Sequence, residues 1–382
     1  MDRAGDRRVI HVVSYLAGSP FGPRGVRTRR VIDALALRWQ VDLIAGPPPA
    51  LGSSTLARRV RDYGLYRLYA ALAMDRYETW SIRRLSRWRP DGAGALLIGY
   101  PYSPLAYAAY ALRRRGIPYV VDIGDPWALT AQTLGAEPHS PWRGRRAERA
   151  VFRGAAGAVL TTEGQAAALA ALFPGLPLLV RHNGYDEANL ASVPPRVPPD
   201  GDELHLGHFG RLYSPRIDIG GALARLASSG RWRRILVHQY GEMERGVLGS
   251  LPPGVQLTVQ PSRPWREIQE ASACLSAVLV VGNVSSAQLP SKAVEYLTLP
   301  APRIALVRDE RADAIADYVR DKRGWLVAAH DAPDLSERIA VHIDHAWTEV
   351  ELAPPPDEAW PNVAERIAQF VGERFDGRSS RR

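Results

Sequence analysis

Runs of consecutive apolar, largely β-branched residues recur along the chain, and segments of helical character lie between them. Strands buried on both faces need no alternation of polar and apolar residues, so such runs indicate parallel sheets covered by helices on both sides. The runs are VIHVVSY, VDLIAG, ALLIGY, PYVVDIG, GAVLTT and LPLLVRHNG, followed by LHLGHFG, RILVHQYG, VQLTVQ, LSAVLVVG, PRIALV and GWLVAA. The sequence therefore predicts an α/β fold with two Rossmann-like, doubly wound domains that face each other across a cleft.

The two sets of strands are separated by ASVPPRVPPDGDE, which is rich in proline, glycine and acidic residues and is typical of a linker. A chain of 382 residues is also long for one hydrophobic core. We expect a first domain over residues 1–193, a linker over 194–203 and a second domain over 204–345. A C-terminal helical segment over 346–382 is expected to return to the first domain.

Composition restricts the compartment. The single cysteine, Cys274, excludes internal disulfides and indicates a reducing environment, so we expect a cytoplasmic protein. Two uncharged runs, residues 92–112 and 271–291, contain proline, asparagine or several serines and are predicted as strand, loop and helix start, not as membrane spans. The basic, partly apolar N-terminus carries acidic residues and His11, which favour a first strand over a signal peptide.

In doubly wound sheets, ligands bind beyond the carboxyl ends of the strands. After the first strand, AGSPFGPRGVRTRR brings Gly22 and Gly25 before basic residues, a pattern that suits close approach to phosphate or sugar, although an ordinary loop remains open. A second loop, DIGDPW, offers Asp122, Asp125 and Trp127, which could bind sugar hydroxyls or transfer a proton. The alternative is that Asp125 caps a turn.

In the second half, HFGRLYSPR places Gly210 at the end of a strand, directly before Arg211, and Arg216 follows five residues after Arg211. Downstream, QLPSKAVEYL begins a helix with Ser291 and Lys292. Two guanidinium groups, an ammonium group and a helix N-terminus at one strand end suit a diphosphate. The alternatives are solvated arginines and a surface helix with Ser291 as its N-cap.

These segments resemble those of retaining glycosyltransferases of family 4, which have the GT-B fold. HFGRLYSPR resembles their Gly-Arg-Leu segment with its following basic residue, and QLPSKAVEYL resembles their Pro-Ser-Lys-x-x-Glu-Tyr-Leu segment. DIGDPW is similar to the Asp-x-x-Asp-Pro-Trp segment of a bacterial subgroup that builds surface polysaccharides, and RHNGYD is similar to the segment that closes the first domain. The resemblance extends over nearly the whole chain, in the same order.

The resemblance implies a role for each donor-side residue. Arg211, Arg216 and Lys292 would neutralise the departing diphosphate, with Arg216 at a position where the family usually has lysine. Ser291 would bind the diphosphate at the helix N-terminus, and Glu295 would accept a hydrogen bond from the donor ribose. Gly210 would allow close approach at the strand end.

On the acceptor side, the resemblance implies that Gly22 and Gly25 approach the reacting sugar and that Asp125 contacts it. Asp122, Trp127 and Arg27 are expected to line the acceptor side. It further implies front-face transfer with retention, in which the leaving phosphate accepts the proton of the acceptor. We expect fixed cations in place of a metal ion, and no cofactor besides the nucleoside-diphosphate sugar as co-substrate.

The chain also departs from the family. Many members carry a second glutamate eight positions before the one aligned with Glu295, with seven residues between the two, and this chain has Ala287 there. It also lacks the glycine that usually follows the helix. Two other functions therefore stay open: a GT-B-fold nucleotide-sugar isomerase, and a protein that binds nucleotide sugars without catalysis.

The first half carries most of the net charge of +9, and residues 56–90 combine many arginines with interleaved tyrosines and tryptophans. This pattern predicts an anionic membrane surface or a lipid-linked acceptor, and hence a peripheral protein on the inner face of the membrane. The alternative is a domain helix with its aromatic residues in the core. A glycan acceptor is equally open, and the absence of a known nucleic-acid motif argues against nucleic acid.

Overall fold

A computed structural model describes residues 8–17, 23–46, 77–99, 102–134, 141–191, 193–197, 201–212, 217–283, 286–349 and 354–379. The chain forms two compact units. The first combines Met1–Asn183 with Trp360–Arg382, and the second is Gly184–Ala359.

The first unit contains a six-stranded sheet in the order β2-β1-β3-β4-β5-β6, and all of its neighbouring strands are parallel. The strands are β1 Val9–Ser14, β2 Gln40–Ala45, β3 Gly94–Gly99, β4 Tyr119–Ile123, β5 Gly157–Leu160 and β6 Leu178–Val180. The helices that follow them are α1 Pro23–Ala36, α2 Glu78–Leu85, α3 Ser103–Arg114, α4 Leu129–Thr133, α5 Pro141–Gly154 and α6 Glu163–Leu172.

The second unit contains another parallel six-stranded sheet, in the order β12-β11-β10-β7-β8-β9. The strands are β7 Glu203–Phe209, β8 Arg234–Tyr240, β9 Val255–Gln260, β10 Ala277–Val281, β11 Arg303–Val307 and β12 Trp325–Ala329. The helices are α7 Ile219–Ser228, α8 Trp265–Ser272, α9 Ser291–Glu295, α10 Ala314–Val319 and α11 Leu335–Glu349. This strand order reverses direction between β7 and β10, the switch point at which such sheets bind ligands.

Both units confirm the predicted α/β class with Rossmann-like sheets. Every residue of β3, β4 and β11 is buried, as expected for strands covered on both faces. Each sheet has one hydrophobic core on either side. The edge strands β2 and β9 differ, because their open sides leave several positions exposed.

The units divide the chain earlier than the predicted domain end at residue 193. Tyr185 forms a bridge with Ala359 and donates its N–H to the Glu358 carbonyl at 3.1 Å. The N–H of Val197 donates to the Ala273 carbonyl at 2.9 Å. Residues 184–197 therefore satisfy backbone groups of the second unit, and the segment assigned to the linker over 194–203 lies partly within that unit.

The C-terminal helix α12, Trp360–Ser379, belongs to the first unit and packs against α1. A Cβ atom at Gly94 would lie 2.5 Å from the Phe375 ring, and one at Gly157 would lie 2.9 Å from the Phe370 ring. Glycines at the starts of β3 and β5 thus make room for two aromatic residues of α12. The predicted returning segment began at residue 346, but α11 extends to Glu349 within the second unit.

Within the described part of the chain, no helix is both long enough and apolar enough to cross a membrane.

Candidate functional site

The carboxyl end of β7 meets the start of α9 at the switch point of the second sheet. Gly210 follows β7 directly with a φ of +118°, a conformation that other residues rarely adopt. A Cβ atom on Gly210 would lie 2.5 Å from Lys292 Cε and 2.6 Å from Lys292 Nζ. The lysine side chain therefore lies directly on the Gly210 backbone, and glycine is required there for both reasons.

Lys292 is a partly buried cation. Its ammonium group forms no hydrogen bond or ion pair with any residue that the structure describes. Burial lowers the pKa of Lys292, and the nearby charge of Glu295 acts in the opposite direction. A partly dehydrated ammonium group without a counter-charge in contact favours the binding of an anion.

The neighbouring strand supports Gly210 through its own terminal glycine, which the sequence analysis missed. The N–H of Gly210 donates to the Tyr240 carbonyl at 2.6 Å. Gly241, with a φ of +120°, approaches so closely that a Cβ there would lie 2.8 Å from the Gly210 oxygen. The sequence contains a signal for this pair, because β7 and β8 are each followed directly by a glycine, in HFG and QYG.

The helix α9 begins at Ser291, and Pro290 occupies the cap position without a side-chain hydrogen bond to the helix. The alternative interpretation of Ser291 as an N-cap is therefore wrong. Ser291 is instead hydrogen-bonded to Glu295 one turn later. Burial raises the pKa of Glu295, while Lys292 and Ser291 act to lower it.

Tyr296, fully buried, fixes α9 against β7. Its hydroxyl accepts a hydrogen bond from the Phe209 N–H at 2.9 Å and donates to the Phe209 carbonyl at 3.2 Å. Since Phe209 precedes Gly210, and Tyr296 follows Glu295, this tyrosine sets the relative position of the two motifs.

Arg303 explains how the chain tolerates the missing glycine after the helix. Its buried guanidinium group donates to the carbonyls of Tyr296 at 2.6 Å, Leu297 at 3.1 Å and Leu299 at 2.9 Å. The Tyr296 carbonyl also accepts from the Leu299 N–H at 3.1 Å, so Arg303 adds side-chain donors to the backbone bond at this helix end. Ala287, at the position of the second glutamate in many relatives, is a buried small residue.

Four other residues were predicted to lie near the donor, and no contact within the described residues places them beside Lys292. Arg211 is exposed and pairs with Glu242 at 3.6 Å. Arg216 and Gly22 lie outside the described residues. Gly25 is buried in the first turn of α1. The proposed roles of these residues stay predictions.

In the first unit, Arg27 and Asp122 bind each other. The Arg27 Nε and Nη2 atoms each donate to the carboxylate at 3.0 Å, and Nη1 donates to the His182 carbonyl at 3.1 Å. Only 4% of Arg27 and 1% of Asp122 is exposed. The pair joins α1, β4 and the segment after β6, and the predicted acceptor-side roles of both residues stay predictions.

Trp127 is also a core residue, and its predicted role on the acceptor side stays a prediction. It is 4% exposed and stacks on Tyr102 with ring centroids 4.9 Å apart. The Tyr102 hydroxyl donates to the carbonyls of Asp125 at 2.9 Å and Pro126 at 3.1 Å. The Asp125 carboxylate remains partly exposed and pairs with Arg24. Of the residues predicted in DIGDPW, Asp125 alone keeps access to solvent.

Glu148 of α5 organises the segment after DIGDPW and was not identified from the sequence. This fully buried carboxylate accepts hydrogen bonds from the backbone N–H groups of Ala128, Leu129 and Thr130 and from the Thr130 hydroxyl at 2.6 Å. It thereby satisfies the first N–H groups of α4. A glutamate within an arginine-rich helix gave no signal for this role.

The aromatic residues of the basic segment lie partly outside the described chain, since residues 56–76 are not described. Within residues 77–90, Trp80 and Trp88 pack against the core of the first unit, and Tyr77 contacts Tyr15 with ring centroids 4.5 Å apart. For Trp80 and Trp88 the alternative of a domain helix with core aromatics is correct. The arginines of the same stretch, in contrast, are exposed.

A family model matches part of the chain. Residues 24–184 match the family model of the glycosyl transferase 4-like domain. No curated protein matches the sequence.

Solved structures match over the full length at low sequence identity. The lipopolysaccharide outer core galactosyltransferase WaaB shares 12% identity, with a TM-score of 0.55 over 97% of this chain and 99% of that chain. The Anabaena protein HepE, solved with UDP and glucose, shares 15% identity, with a TM-score of 0.53 over 98% of each chain. A protein from Listeria monocytogenes named as a UDP-N-acetylglucosamine 2-epimerase shares 10% identity, with a TM-score of 0.50 over 97% of each chain.

The protein thus has the GT-B fold of glycosyltransferases such as WaaB and HepE.

Proposed function

We propose that the protein transfers a sugar from a nucleoside-diphosphate sugar to a glycan, lipid-linked or natural-product acceptor, with retention of configuration. The observation that carries this proposal is Lys292, a partly buried ammonium group that lies on Gly210 at the switch point of the second sheet. The match of residues 24–184 to the family model of the glycosyl transferase 4-like domain supports a transferase activity. HepE, which has the same fold, was solved with UDP-glucose.

In the proposed reaction, the bond between the anomeric carbon and the diphosphate oxygen breaks, and the acceptor oxygen bonds to the same face of that carbon. The acceptor proton passes to the leaving phosphate. The Lys292 ammonium group attracts the negative charge that develops on the leaving diphosphate. It therefore stabilises the transition state more than the ground state. Glu295 binds the ribose equally in both states, and Asp125 contacts the sugar from the first unit.

Two substitutions test these roles. Lys292→Ala should chiefly lower kcat, by about 10²–10³-fold, the usual loss when an electrostatic stabiliser of the transition state is removed. Glu295→Gln should chiefly raise KM for the donor, because a uniform contact is weakened. Both constants are measured for release of the nucleoside diphosphate. If both variants retain wild-type kinetics, α9 only supports the fold and the proposed donor site is wrong.

We further propose that catalysis needs no divalent metal ion, because a fixed cation neutralises the diphosphate. EDTA should then change kcat by no more than about twofold. A loss of about 10²-fold or more, restored by Mg²⁺ or Mn²⁺, would show that a metal ion supplies the main electrostatic stabilisation.

The two alternative functions give different products. Incubation with a nucleotide sugar and no acceptor should yield only slow hydrolysis if the protein is a transferase. Formation of an epimeric nucleotide sugar would identify an isomerase, a possibility kept open by the fold shared with the Listeria protein. Nucleotide binding without turnover over a panel of acceptors would identify a binding protein.

We also propose that the first unit attaches to anionic membranes through charge. Exposed arginines lie on and just after α2, and the neighbouring helix α3 carries Tyr110. Trp142 lies on α5, which packs against α3, and both aromatic residues are 57% exposed. Exposed arginine and aromatic side chains suit the headgroup region of a bilayer. Of the predicted segment, this surface includes the arginines of residues 83–89, whereas Trp80 and Trp88 pack against the core.

Vesicle sedimentation tests this attachment. Vesicles with phosphatidylglycerol should sediment the protein at low salt and release it as salt rises. The triple variant Arg83→Gln/Arg84→Gln/Arg87→Gln should bind more weakly than Arg225→Gln/Arg245→Gln/Arg311→Gln, which removes the same charge from exposed positions of the second unit. Equal binding of both variants would locate the attachment elsewhere.

A further inference from the structure

The carbonyl group of Gly210 is held by the buried side chain of Gln239, which is itself hydrogen-bonded to buried His208, and neither residue has a role in the proposed reaction. Gln239, at the penultimate position of β8, donates from Nε2 to the Gly210 oxygen at 2.6 Å. Its Oε1 lies 2.8 Å from Nδ1 of His208, the penultimate residue of β7. Gln239 is 1% exposed and His208 is 5% exposed.

The donors and acceptors available fix the direction of each hydrogen bond in the series from His208 through Gln239 to Gly210. The Gly210 carbonyl can only accept, so the amide nitrogen of Gln239 must face it and the amide oxygen must face His208. His208 therefore carries its proton on Nδ1. Burial and the charge of Lys292 lower the pKa of His208 to about 4, although the hydrogen bond to Gln239 acts in the opposite direction. At neutral pH the chain from His208 to Gly210 is uncharged.

The geometry of the peptide extends the effect to the surface of the site. With a trans peptide bond, the C=O of Gly210 and the N–H of Arg211 point in opposite directions. Because the C=O points to the buried Gln239, the N–H of Arg211 points away from it. Lys292 lies on the Cα atom of the same residue, within 2.6 Å of where a Cβ would be. Rotation of the Gly210 peptide would therefore reorient the N–H of Arg211, and a shift of the Gly210 Cα atom would displace Lys292.

We infer that Gln239, oriented by His208, is a positioning residue that holds the Gly210 peptide and the Lys292 ammonium group in the geometry that binds the donor diphosphate. This inference rests on the proposed function. It also explains the neutral side chain: a carboxylate at position 239 would repel the Gly210 carbonyl and compete with the diphosphate for Lys292. Neither Gln239 nor His208 touches the ligand.

The test is calorimetric titration of the full-length protein with UDP, ADP, GDP and TDP. The nucleotide that binds the wild type most tightly is then titrated into Gln239→Leu and Gln239→Glu. Loss of a buried amide that satisfies a backbone carbonyl should weaken binding by at least about tenfold in Gln239→Leu. Gln239→Glu, although isosteric, should bind as weakly or more weakly, because its charge opposes both Gly210 and the ligand.

Gln165→Leu provides the matched control. Gln165 is also fully buried, and its Nε2 donates to the carbonyl of another strand-end glycine, Gly124, at 3.0 Å in the first unit. This variant should lose a similar amount of thermal stability and bind the nucleotide within about twofold of the wild type. Gln239→Glu also serves as the test variant if Gln239→Leu does not fold.

The outcomes separate the inference from the proposed function. Wild-type protein that binds none of the four nucleotides overturns the proposed function and the inference with it. Wild-type binding that persists within about twofold in Gln239→Leu overturns the inference alone. Recovery of binding in Gln239→Glu relative to Gln239→Leu would also overturn it, because side-chain shape and not the amide hydrogen bond would then be what matters.

Discussion

At the scale of a single residue, position 210 requires glycine. Gly210→Ala would force a Cβ to within 2.6 Å of the Lys292 ammonium group and would strain a backbone with a φ of +118°. Because the lysine must move, we expect nucleoside-diphosphate affinity to fall by at least about tenfold, the scale of one lost charge-assisted contact. Calorimetric titration measures this loss.

Gly230→Ala is the control for Gly210→Ala. Gly230 has a φ of +65°, and a Cβ there would meet nothing within 4 Å. This substitution should cost about 1 kcal/mol of folding free energy from backbone strain and leave nucleotide affinity unchanged. If both alanine variants bind the nucleotide equally well, contact between Gly210 and Lys292 is not needed for binding.

His208 should make the protein sensitive to acid. Burial and Lys292 lower the pKa of His208 from 6.5 to about 4, so between these values the unfolded chain takes up a proton that the folded chain does not. Stability attributable to His208 is therefore complete above pH 6.5 and is lost as the pH falls towards 4, by up to about 3 kcal/mol. Asp313 acts in the opposite direction, since burial raises its pKa to about 6.

The measurement is the denaturant midpoint at pH 7 and at pH 5 for the wild type and for His208→Gln. The wild-type midpoint should fall further than that of the variant. His342, whose pKa is also lowered to about 4 by burial, is retained in both proteins. The same fall in both would show that His208 does not govern acid sensitivity.

At the scale of secondary-structure elements, the start of α4 depends on a glutamate from another helix. Glu148→Gln would replace an acceptor by an NH₂ group among several N–H donors, so hydrogen bonds would be lost and donors would oppose each other. We expect a loss of about 2–4 kcal/mol in unfolding free energy.

An exposed glutamate in the first turn of a helix, Glu163, offers the comparison. Glu163→Gln should cost less than about 1 kcal/mol, the scale of a helix-dipole contact at the surface. Chemical denaturation of both variants measures the two losses in unfolding free energy. Equal costs would mean that Glu148 contributes no more than an ordinary surface charge.

Strands were predictable and buried polar pairs were not. Continuous apolar runs are a local signal, and each run proposed from the sequence contains a strand of the two sheets. The partners Arg27 and Asp122 lie far apart in the sequence, and polar residues at a strand end look alike whether they face ligand or each other. Trp127 shows the same ambiguity for an aromatic residue beside a predicted site.

The start of α9 was predicted, but its short length was not. The pattern Pro-Ser-Lys correctly indicated a helix beginning at this point, although Ser291 is the first helical residue and not the cap. The helix ends after Glu295 and continues as a 3₁₀ turn over Tyr296–Thr298. Its register depends on Tyr296 and Arg303, whose partners become neighbours only when the sheet forms.

At the scale of the whole molecule, the two-unit organisation followed from length and strand count, but the boundary did not. The proline-rich stretch suggested a linker after residue 193, yet Tyr185 already pairs with Ala359 of the second unit. A proline-rich composition indicates an extended segment. The domain boundary depends instead on which unit supplies the hydrogen-bond partners of the backbone groups. The return of α12 to the first unit depends on long-range packing against Gly94 and Gly157.

The central claim is that Lys292 binds the donor diphosphate, and the chain has only one other lysine, Lys322, which pairs with Glu358 at 2.9 Å. The most direct measurement is amine labelling of the wild-type protein, read by mass spectrometry at both lysines with and without the nucleoside diphosphate that binds it. At a concentration about tenfold above Kd, the nucleotide should slow labelling of Lys292 about tenfold and leave Lys322 unchanged. Labelling of Lys292 at the same rate in the presence of saturating nucleotide would contradict the account.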